Sequence, residues 1–271
     1  MARRRLPGFG LTMGATLLWL GVLVLIPLAT LFVTASSLSP AELWKAVSNP
    51  RAIAAYKLTF GASLLAAVIN GGLGLVLAWV LVRYDFPGKS FVDGLIDIPF
   101  ALPTAVAGLT YASLYSPKGW MGQWLVPLGI WGVLTPFSVV LVMVFVSLPF
   151  VVRSLQPVLE DLGVEAEEAA DSLGASRWQT LRHVVFPNVL PALLTGIALA
   201  FARAVGEYGS IVFVSGNIPF RTEIASLLIV SRLEEYDFGG AAAVAGVLLF
   251  ASFAINGMIN FLSRWSRRHE G

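Results

Sequence analysis

Apolar residues occur in long runs that are separated by short polar stretches along the whole chain. A run of about 20 apolar residues, coiled as a helix, is long enough to cross the hydrocarbon core of a bilayer. By this criterion the pattern predicts six transmembrane helices, at residues 11–33, 58–82, 95–115, 133–152, 189–213 and 239–262. We therefore expect an all-α integral membrane protein with a single transmembrane domain over residues 1–271.

The longest polar stretch, residues 160–187, lies between the fourth and fifth predicted spans. An apolar residue recurs there every three or four positions, which predicts one surface helix; these residues are Leu159, Leu162, Ala166, Ala169 and Leu173. Gly174 follows, and glycine is the usual residue where a helix ends in the left-handed conformation. Ser176 and Gln179 have capping-box spacing, which predicts a second helix over residues 177–185 that ends before Pro187.

Composition agrees with a membrane protein, because 57% of the residues are apolar and only 13% are charged. The absence of cysteine excludes disulfides and thiolate metal sites. His183 and His269 have no neighbouring ligand residues, so we expect no metal site and no membrane-embedded enzyme. The tripeptide at residues 88–90 superficially resembles the end of a phosphate-binding loop, but Arg83 stands where that motif needs a glycine.

The distribution of basic residues predicts an orientation. With a cytoplasmic N-terminus, eleven basic residues lie inside: Arg3, Arg4, Arg5, Arg83, Lys89, Arg153, Arg177, Arg182, Arg264, Arg267 and Arg268. Six lie outside: Lys45, Arg51, Lys57, Lys118, Arg221 and Arg232. This excess follows the positive-inside rule, so both termini and residues 160–187 are expected in the cytoplasm.

Two predicted spans carry features that are unusual in lipid. Pro99 and Pro103 each remove a helical hydrogen bond from the third span, which makes it either a broken, cavity-facing helix or a tolerated kink. The fifth span contains Arg203 and, one turn later on the same face, Glu207. A charge near the middle of a bilayer costs about 3 kcal/mol. Either the pair neutralises itself and fixes helix packing, or Arg203 offers positive charge to an anion in transit.

Residues 160–187 resemble the EAA loop of type I ABC importer permeases. The matching positions are Glu168, Ala169, Ala170, Gly174, Val184, Phe186 and Pro187, with Val and Phe where the family usually has Ile and Leu. The resemblance implies the MetI-like permease fold. It also implies that Glu168, Ala169, Ala170, Gly174 and Pro187 couple the chain to a separate ATPase. ATP and Mg would then bind that partner, so this chain is expected to carry no cofactor of its own.

Three further segments, residues 97–109, 201–210 and 216–224, resemble sulfate permeases of the T type, and the second is shared with molybdate permeases. This resemblance implies import of sulfate or thiosulfate across the bacterial cytoplasmic membrane. The implied partners are a homologous W-type permease, two ATPase subunits, an extracytoplasmic sulfate-binding protein and membrane lipid, with no nucleic acid. A permease for another oxyanion such as molybdate, or a carrier driven by an ion gradient, remains an alternative.

Candidate substrate-pathway residues are those that can hold a dehydrated oxyanion: Arg203, Glu207, Ser210, Thr104 and Asn70, with Thr110 as a further hydroxyl. The sequence does not choose among the hydroxyl and amide groups. Arg221 and Glu223 are candidates for an external gate, since they lie in the segment over residues 214–238 that is expected outside. Arg232, in the same segment, is expected to be a solvated surface residue.

Overall fold

The structure, a computed structural model, describes residues 9–267, apart from the side chains at 256 and 258–267. Arg3, Arg4, Arg5, Arg268 and His269 lie outside the described residues. The helices are α1 (Phe9–Ala35), α2 (Pro40–Ser48), α3 (Pro50–Arg83), α4 (Lys89–Ile96), α5 (Ile98–Ala101), α6 (Thr104–Tyr115), α7 (Gly122–Leu125), α8 (Pro136–Leu162), α9 (Glu165–Ser172), α10 (Arg177–Val205), α11 (Ile211–Ser215), α12 (Ala225–Glu234) and α13 (Phe238–Arg267). The all-α prediction is confirmed for the part of the chain that the structure describes.

Five helices within residues 9–267 are long and apolar enough to cross a membrane: α1, α3, α8, α10 and α13. The third predicted span is wrong as a single helix, because α5 and α6 are separated by Leu102, whose backbone is extended (φ −81°, ψ 132°). The residue before a proline disfavours helical angles, so Pro103 breaks the span at Leu102. Of the two alternatives for this span, the broken helix is confirmed.

The core lies between α3, α8 and α10, which pack closely along their lengths. Glycines make this approach possible. A Cβ atom added at Gly74 would lie 2.6 Å from Cγ1 of Val151, and one added at Gly71 would lie 2.8 Å from Cδ1 of Ile197. Gly72, between them, faces open space. Small residues therefore let α3 contact both partner helices at nearly the same level.

Two helices are longer than their apolar runs predicted. α3 begins at Pro50 rather than residue 58, because Oδ1 of Asn49 caps it by accepting a hydrogen bond from the amide of Ala52 (2.8 Å). α8 continues to Leu162 rather than ending at residue 152. Arg153 does not end α8, since its charge is satisfied by Asp93 and Asp97 beside the helix.

Two of the prolines inside continuous helices, Pro27 and Pro187, follow a π-helical turn. Pro187 was expected to end a helix, but α10 passes through it, and this prediction is wrong. A proline ring clashes with the carbonyl four residues earlier in a regular α-helix. That carbonyl lies in a wider π-helical turn, Leu181–Val185. Pro27 in α1 likewise follows the π-helical turn Gly21–Leu25, so in both cases a wider turn accommodates the ring.

The fifth span ends earlier than predicted. α10 ends at Val205 rather than residue 213, and the chain continues through Gly206 and Gly209 before the short helix α11. The following segment, residues 214–238, is not simply a surface loop. Its Ile224 and Leu228 are fully buried, and the amide of Ala225 donates to Oγ1 of Thr59 in α3 at 2.8 Å. This segment is therefore part of the packed bundle.

Candidate functional site

The polar stretch over residues 160–187, called the acidic loop below, has the predicted helix, glycine turn and helix. α9 ends where Gly174 takes a left-handed conformation (φ +82°), and the amide of Ala175 closes the turn on the carbonyl of Ala170 at 3.0 Å. Leu159 and Leu162, however, belong to α8, and Gly163 (φ +62°) separates them from α9. The predicted helix is thus divided at a second glycine.

The second helix of the acidic loop is the beginning of the fifth span. Ser176 and Gln179 form the predicted capping box: the Ser176 amide donates to Oε1 of Gln179 (2.8 Å), and Oγ of Ser176 accepts from the Gln179 amide (3.4 Å). α10 then runs without a break to Val205. The loop is therefore joined rigidly to a membrane helix.

The surface of the acidic loop combines carboxylates with exposed apolar side chains. Glu168 and Ala169 are exposed, and the exposed fraction is 88% for Leu173 and 67% for Trp178. Leu173 lies on the apolar stripe that the sequence predicted, but the helix turns this position outward and its side chain is exposed. Clustered exposed apolar groups on a polar surface mark contact sites for other molecules. Trp178, a large apolar residue in a polar stretch, could have indicated this contact surface from the sequence, but it was overlooked.

A second group of polar residues lies where the start of α6 meets the end of α10. We call this site, residues 104–108 and 203–210, the junction. The start of α6 packs on the non-helical turn after α10, so that Thr104 touches the backbone of Gly209 and Gly108 touches that of Ser210. Neither glycine has room for a Cβ atom. The break at Leu102 and the break after Val205 are therefore adjacent in space.

The charged pair of the fifth span is at the junction. Glu207 is 2% exposed and accepts three hydrogen bonds, from Nη1 of Arg203 (2.6 Å) and from the amide (2.9 Å) and hydroxyl (2.6 Å) of Ser210. The predicted ion pair is confirmed as a contact. Arg203 lies in the last turn of α10, and its side chain remains 29% exposed. The arrangement buries the negative charge and leaves the positive charge partly accessible.

Two of the other pathway candidates, Asn70 and Thr110, form their hydrogen bonds away from the junction. Asn70 is fully buried and its Nδ2 donates to the carbonyl of Val144 and to Oγ of Ser147, both at 2.9 Å, which ties α3 to α8. Thr110 is exposed and donates to the carbonyl of Val106 on its own helix. The structure thus brings Arg203, Glu207, Ser210 and Thr104 together and leaves these two apart.

The two gate candidates differ in their exposure to solvent. Glu223 has 1% side-chain exposure and accepts from Nε (2.9 Å) and Nη2 (2.8 Å) of Arg51. Arg221 is exposed. Arg232 is not the solvated residue that was expected, because it is 8% exposed and donates to the carbonyls of Gly240 and Ala46, both at 2.9 Å.

A further ion-pair network joins α4 to α8. Arg153 donates to both carboxylate oxygens of Asp97 (2.9 and 2.6 Å) and to Asp93 (2.7 Å), while Gln156 also donates to Asp93 (3.0 Å). The guanidinium of Arg153, followed by Gln156, holds the pKa of Asp93 below its usual range. Arg51 entered the sequence analysis only as a marker of orientation, and Arg153 also as the end of the fourth span, so their ion pairs with carboxylates were missed.

The chain matches the family described as "Binding-protein-dependent transport system inner membrane component" over residues 70–268. The "Sulfate transport system permease protein CysT" of Escherichia coli (strain K12) is 48% identical to it over 100% of this chain and 98% of that protein. The protein of the same name from Synechococcus elongatus is 50% identical over 98% of this chain and 99% of that protein. Both relatives are permease proteins, in line with a chain that is not an enzyme.

Solved structures share the fold. A bacterial alginate ABC transporter in complex with an alginate-bound periplasmic protein contains a chain that superimposes with a TM-score of 0.78, at 16% identity, over 93% of this chain and 92% of that one. A chain of the MetNI methionine ABC transporter superimposes with a TM-score of 0.60, at 16% identity, over 84% of this chain and 99% of that one. The predicted ABC permease fold is confirmed, and the chain belongs to the family of inner membrane components of binding-protein-dependent transport systems.

Proposed function

We propose that this chain is the membrane-spanning permease subunit of an ATP-driven importer of sulfate or thiosulfate. The observation that carries the proposal is the continuity of α10. This helix begins in the exposed acidic loop and ends at the partly accessible charge of Arg203. One rigid element therefore connects a surface suited to a partner with a group suited to an anion. The substrate is that named for relatives about half identical over nearly the whole chain.

In this proposal the acidic loop receives the movement of an ATPase. α9 presents Glu168, Ala169 and Ala170 to the partner, and Gly174 fixes the angle between α9 and α10 because a residue with a Cβ atom is strained at its positive φ. The π-helical turn before Pro187 keeps α10 continuous as it leaves the loop. Nucleotide chemistry belongs to the partner, and this chain supplies the mechanical connection.

The junction is the proposed contact for the anion. Sulfate carries two negative charges and accepts hydrogen bonds, so it favours a guanidinium together with hydroxyl donors. Arg203 supplies the guanidinium and Thr104 supplies a hydroxyl, while the buried hydroxyl of Ser210, another pathway candidate, holds Glu207. Glu207 neutralises Arg203 when no anion is present, which removes the energetic penalty of an unpaired charge in the membrane. Both earlier interpretations of the pair then apply, at different stages of transport.

The proposed assembly has a W-type permease, two ATPase subunits and an extracytoplasmic binding protein around this chain. Both termini and the acidic loop lie in the cytoplasm, and residues 214–238 lie on the opposite side, with Arg221 and Glu223 near a gate. Support comes from the excess of basic residues on one side of the predicted topology. Exposed apolar side chains on α1, such as Leu17, Leu18 and Trp19, are available for lipid or a second permease.

The test is uptake by the purified assembly in lipid vesicles, with ATP supplied on the side of the acidic loop. We expect uptake of radiolabelled sulfate that requires ATP and is inhibited by thiosulfate but only weakly by molybdate. Gly174→Pro should abolish uptake without preventing insertion, because it removes the amide that donates to Asp171 and disturbs the turn. Gly129→Pro is the matched control, since Gly129 also has positive φ, open surroundings and an amide bonded three residues back.

Three outcomes would overturn the proposal. Uptake that persists without ATP and survives Gly174→Pro would indicate a carrier driven by an ion gradient. Strong preference for molybdate over sulfate would assign another oxyanion. Purification of the chain without any ATPase would remove the partner on which the acidic loop is proposed to act.

A further inference from the structure

The last residue of α3, Arg83, binds the acidic loop at two points and α8, just before the loop, at a third. Its Nε donates to Oε1 of Glu167 in α9 (2.9 Å), its Nη1 donates to the carbonyl of Leu159 (3.0 Å), and its Nη2 donates to the carbonyl of Gly163 (2.7 Å). The side chain is only 10% exposed, and its guanidinium carbon lies 5.5 Å from the ring centre of Trp79. One planar group thus contacts the end of α8, the turn after it and the beginning of α9.

The two carbonyls are acceptors that a helix end leaves without a partner. In a regular helix the amide of Gly163 would bind the carbonyl of Leu159, but here it binds the carbonyl of Glu160 at 3.1 Å. The carbonyl of Leu159 is therefore available to Arg83. The amide of Glu167 binds the carbonyl of Val164 (3.0 Å), and the Gly163 carbonyl also turns to Arg83. The path of the chain between α8 and α9 is consequently defined by this arginine.

α9 has few other attachments to the membrane helices. None of its residues is buried, and Val164 at its start provides no side-chain cap. Within the described residues 9–267, Arg83–Glu167 is the one ion pair made by α9. Its other connections are to the start of α10, through the turn at Gly174 and through packing on residues 177–185. Without Arg83, α9 would have no ion pair to the membrane helices within the described residues, and α3 would lose its side-chain contact with α9.

We propose that Arg83 is a positioning residue that couples the acidic loop to α3, so that movement of α9 reaches the bundle by two routes. This inference rests on the proposed function of the loop. One route is covalent, through Gly174 into α10. The second is the Arg83 contact, which pulls or pushes α3 at its end. Because α3 packs on both α8 and α10, the two routes move the core together rather than bending α10 alone.

The proposal is tested with Arg83→Gln and Glu167→Gln in the complete assembly in lipid vesicles. We expect normal assembly, retained ATP hydrolysis and at least about a fivefold rise in ATP hydrolysed per sulfate transported, the lower bound for loss of a typical coupling between two sites. A merely structural role would lower the amount of assembly and leave that ratio unchanged. Glu160→Gln is the matched control, because Glu160 is an exposed carboxylate of the same loop with no ion pair in the described part of the chain.

A second measurement does not depend on transport. The chain contains no cysteine, so spin labels can be placed uniquely at Asp171→Cys in α9 and Lys89→Cys in α4. We expect Arg83→Gln to broaden the distance distribution between the labels, and Glu160→Gln to leave it unchanged. An unchanged distribution together with an unchanged ATP-to-sulfate ratio would overturn the role of Arg83. Absence of ATP-dependent sulfate uptake by the unmodified assembly would instead refute the proposed function, whatever the labels show.

Discussion

The two ends of α3 each carry an arginine that holds a segment remote in sequence, but the acceptors differ. At the first end, Arg51 makes both of its short contacts to one carboxylate, Glu223 (2.9 and 2.8 Å), with Glu235 at 3.7 Å. At the last end, Arg83 makes one contact to the carboxylate of Glu167 and two to backbone carbonyls. The Arg51 contact depends on charge alone, whereas the Arg83 contact combines charge with hydrogen bonds to the main chain.

This difference implies different mechanical properties. A carboxylate side chain can rotate away or exchange its partner, and the Arg51 side chain is 32% exposed, so salt weakens its pair. Backbone carbonyls neither titrate nor rotate independently of the chain. The contact at the first end is therefore suited to opening and closing, and the contact at the last end is suited to transmitting force. The following changes would break or sharpen this comparison.

The largest effect is expected when α3 is separated from its neighbours, because the comparison requires α3 to behave as one body. Gly74→Leu would place side-chain atoms where Val151 already lies. We expect the free energy of unfolding to fall by about 3 kcal/mol, as for overpacking in a dense core, measured by detergent-induced unfolding. Gly72→Leu is the control and should have little effect, since Gly72 faces open space; equal losses for both variants would contradict the packing described.

The next effect concerns the first end of α3. Glu223→Ala removes both acceptors of Arg51, and we expect a fall of about 2 kcal/mol in the free energy of unfolding, as for loss of a charged hydrogen-bonded partner. Glu234→Ala, at an exposed carboxylate of the same segment, should change it by less than about 0.5 kcal/mol. If the two variants unfold alike, Glu223 does not hold this segment.

Lysine substitutions distinguish the two ends directly. Lysine keeps the charge but lacks the planar fork of arginine, so it cannot satisfy three separated acceptors. We expect Arg83→Lys to lower the free energy of unfolding by about 1.5 kcal/mol and Arg51→Lys by about 0.5 kcal/mol, because only the former leaves carbonyls unsatisfied. Thermal unfolding followed by tryptophan fluorescence measures both. The reverse order would show that the carbonyl contacts of Arg83 are unimportant.

The smallest effect is the pH dependence of the Arg153 network, which lies in the segment after Arg83. The pKa of Asp93 is lowered in the folded chain by Arg153, so its contribution to stability is complete above the unfolded pKa of about 4 and is lost as the pH falls below it. Since both partners are partly exposed, we expect about 0.5 kcal/mol or less. Asp93→Asn should reduce the slope of the free energy of unfolding against pH between about pH 5 and 3. An unchanged slope would show that the Asp93–Arg153 pair does not stabilise the folded chain.

Local chemistry made several features predictable from sequence. The glycine turn at Gly174 and the capping box at Ser176 depend on residues within a few positions of each other, and both were correct. The Arg203–Glu207 contact was predictable for the same reason, because residues four apart on a helix share a face. The helices and the turn of the acidic loop followed from such local patterns, whereas the ABC permease fold was implied by the resemblance to a known family.

Features that depend on remote residues were not predictable. Arg83 and Glu167 are 84 positions apart, and nothing near either residue indicates the other. The helix through Pro187 was missed because the proline rule assumes regular α-helical geometry, whereas the chain forms a π-helical turn there. The end of α8 was missed because Arg153 reads as a boundary unless Asp93 and Asp97 are known to lie beside it. Tertiary contacts thus decided the course of α8 and the role of Arg83, whereas local backbone geometry decided the course of the chain at Pro187.

The unbroken course of α10 has a consequence for how far a displacement can travel. Arg177 and Arg203 are 26 positions apart on one helix, which corresponds to about 39 Å at 1.5 Å per residue. A tilt of about 5° at the capping-box end therefore becomes a sideways shift of about 3 Å at the other end. Length alone thus enlarges a small rotation along a helix that moves as one body.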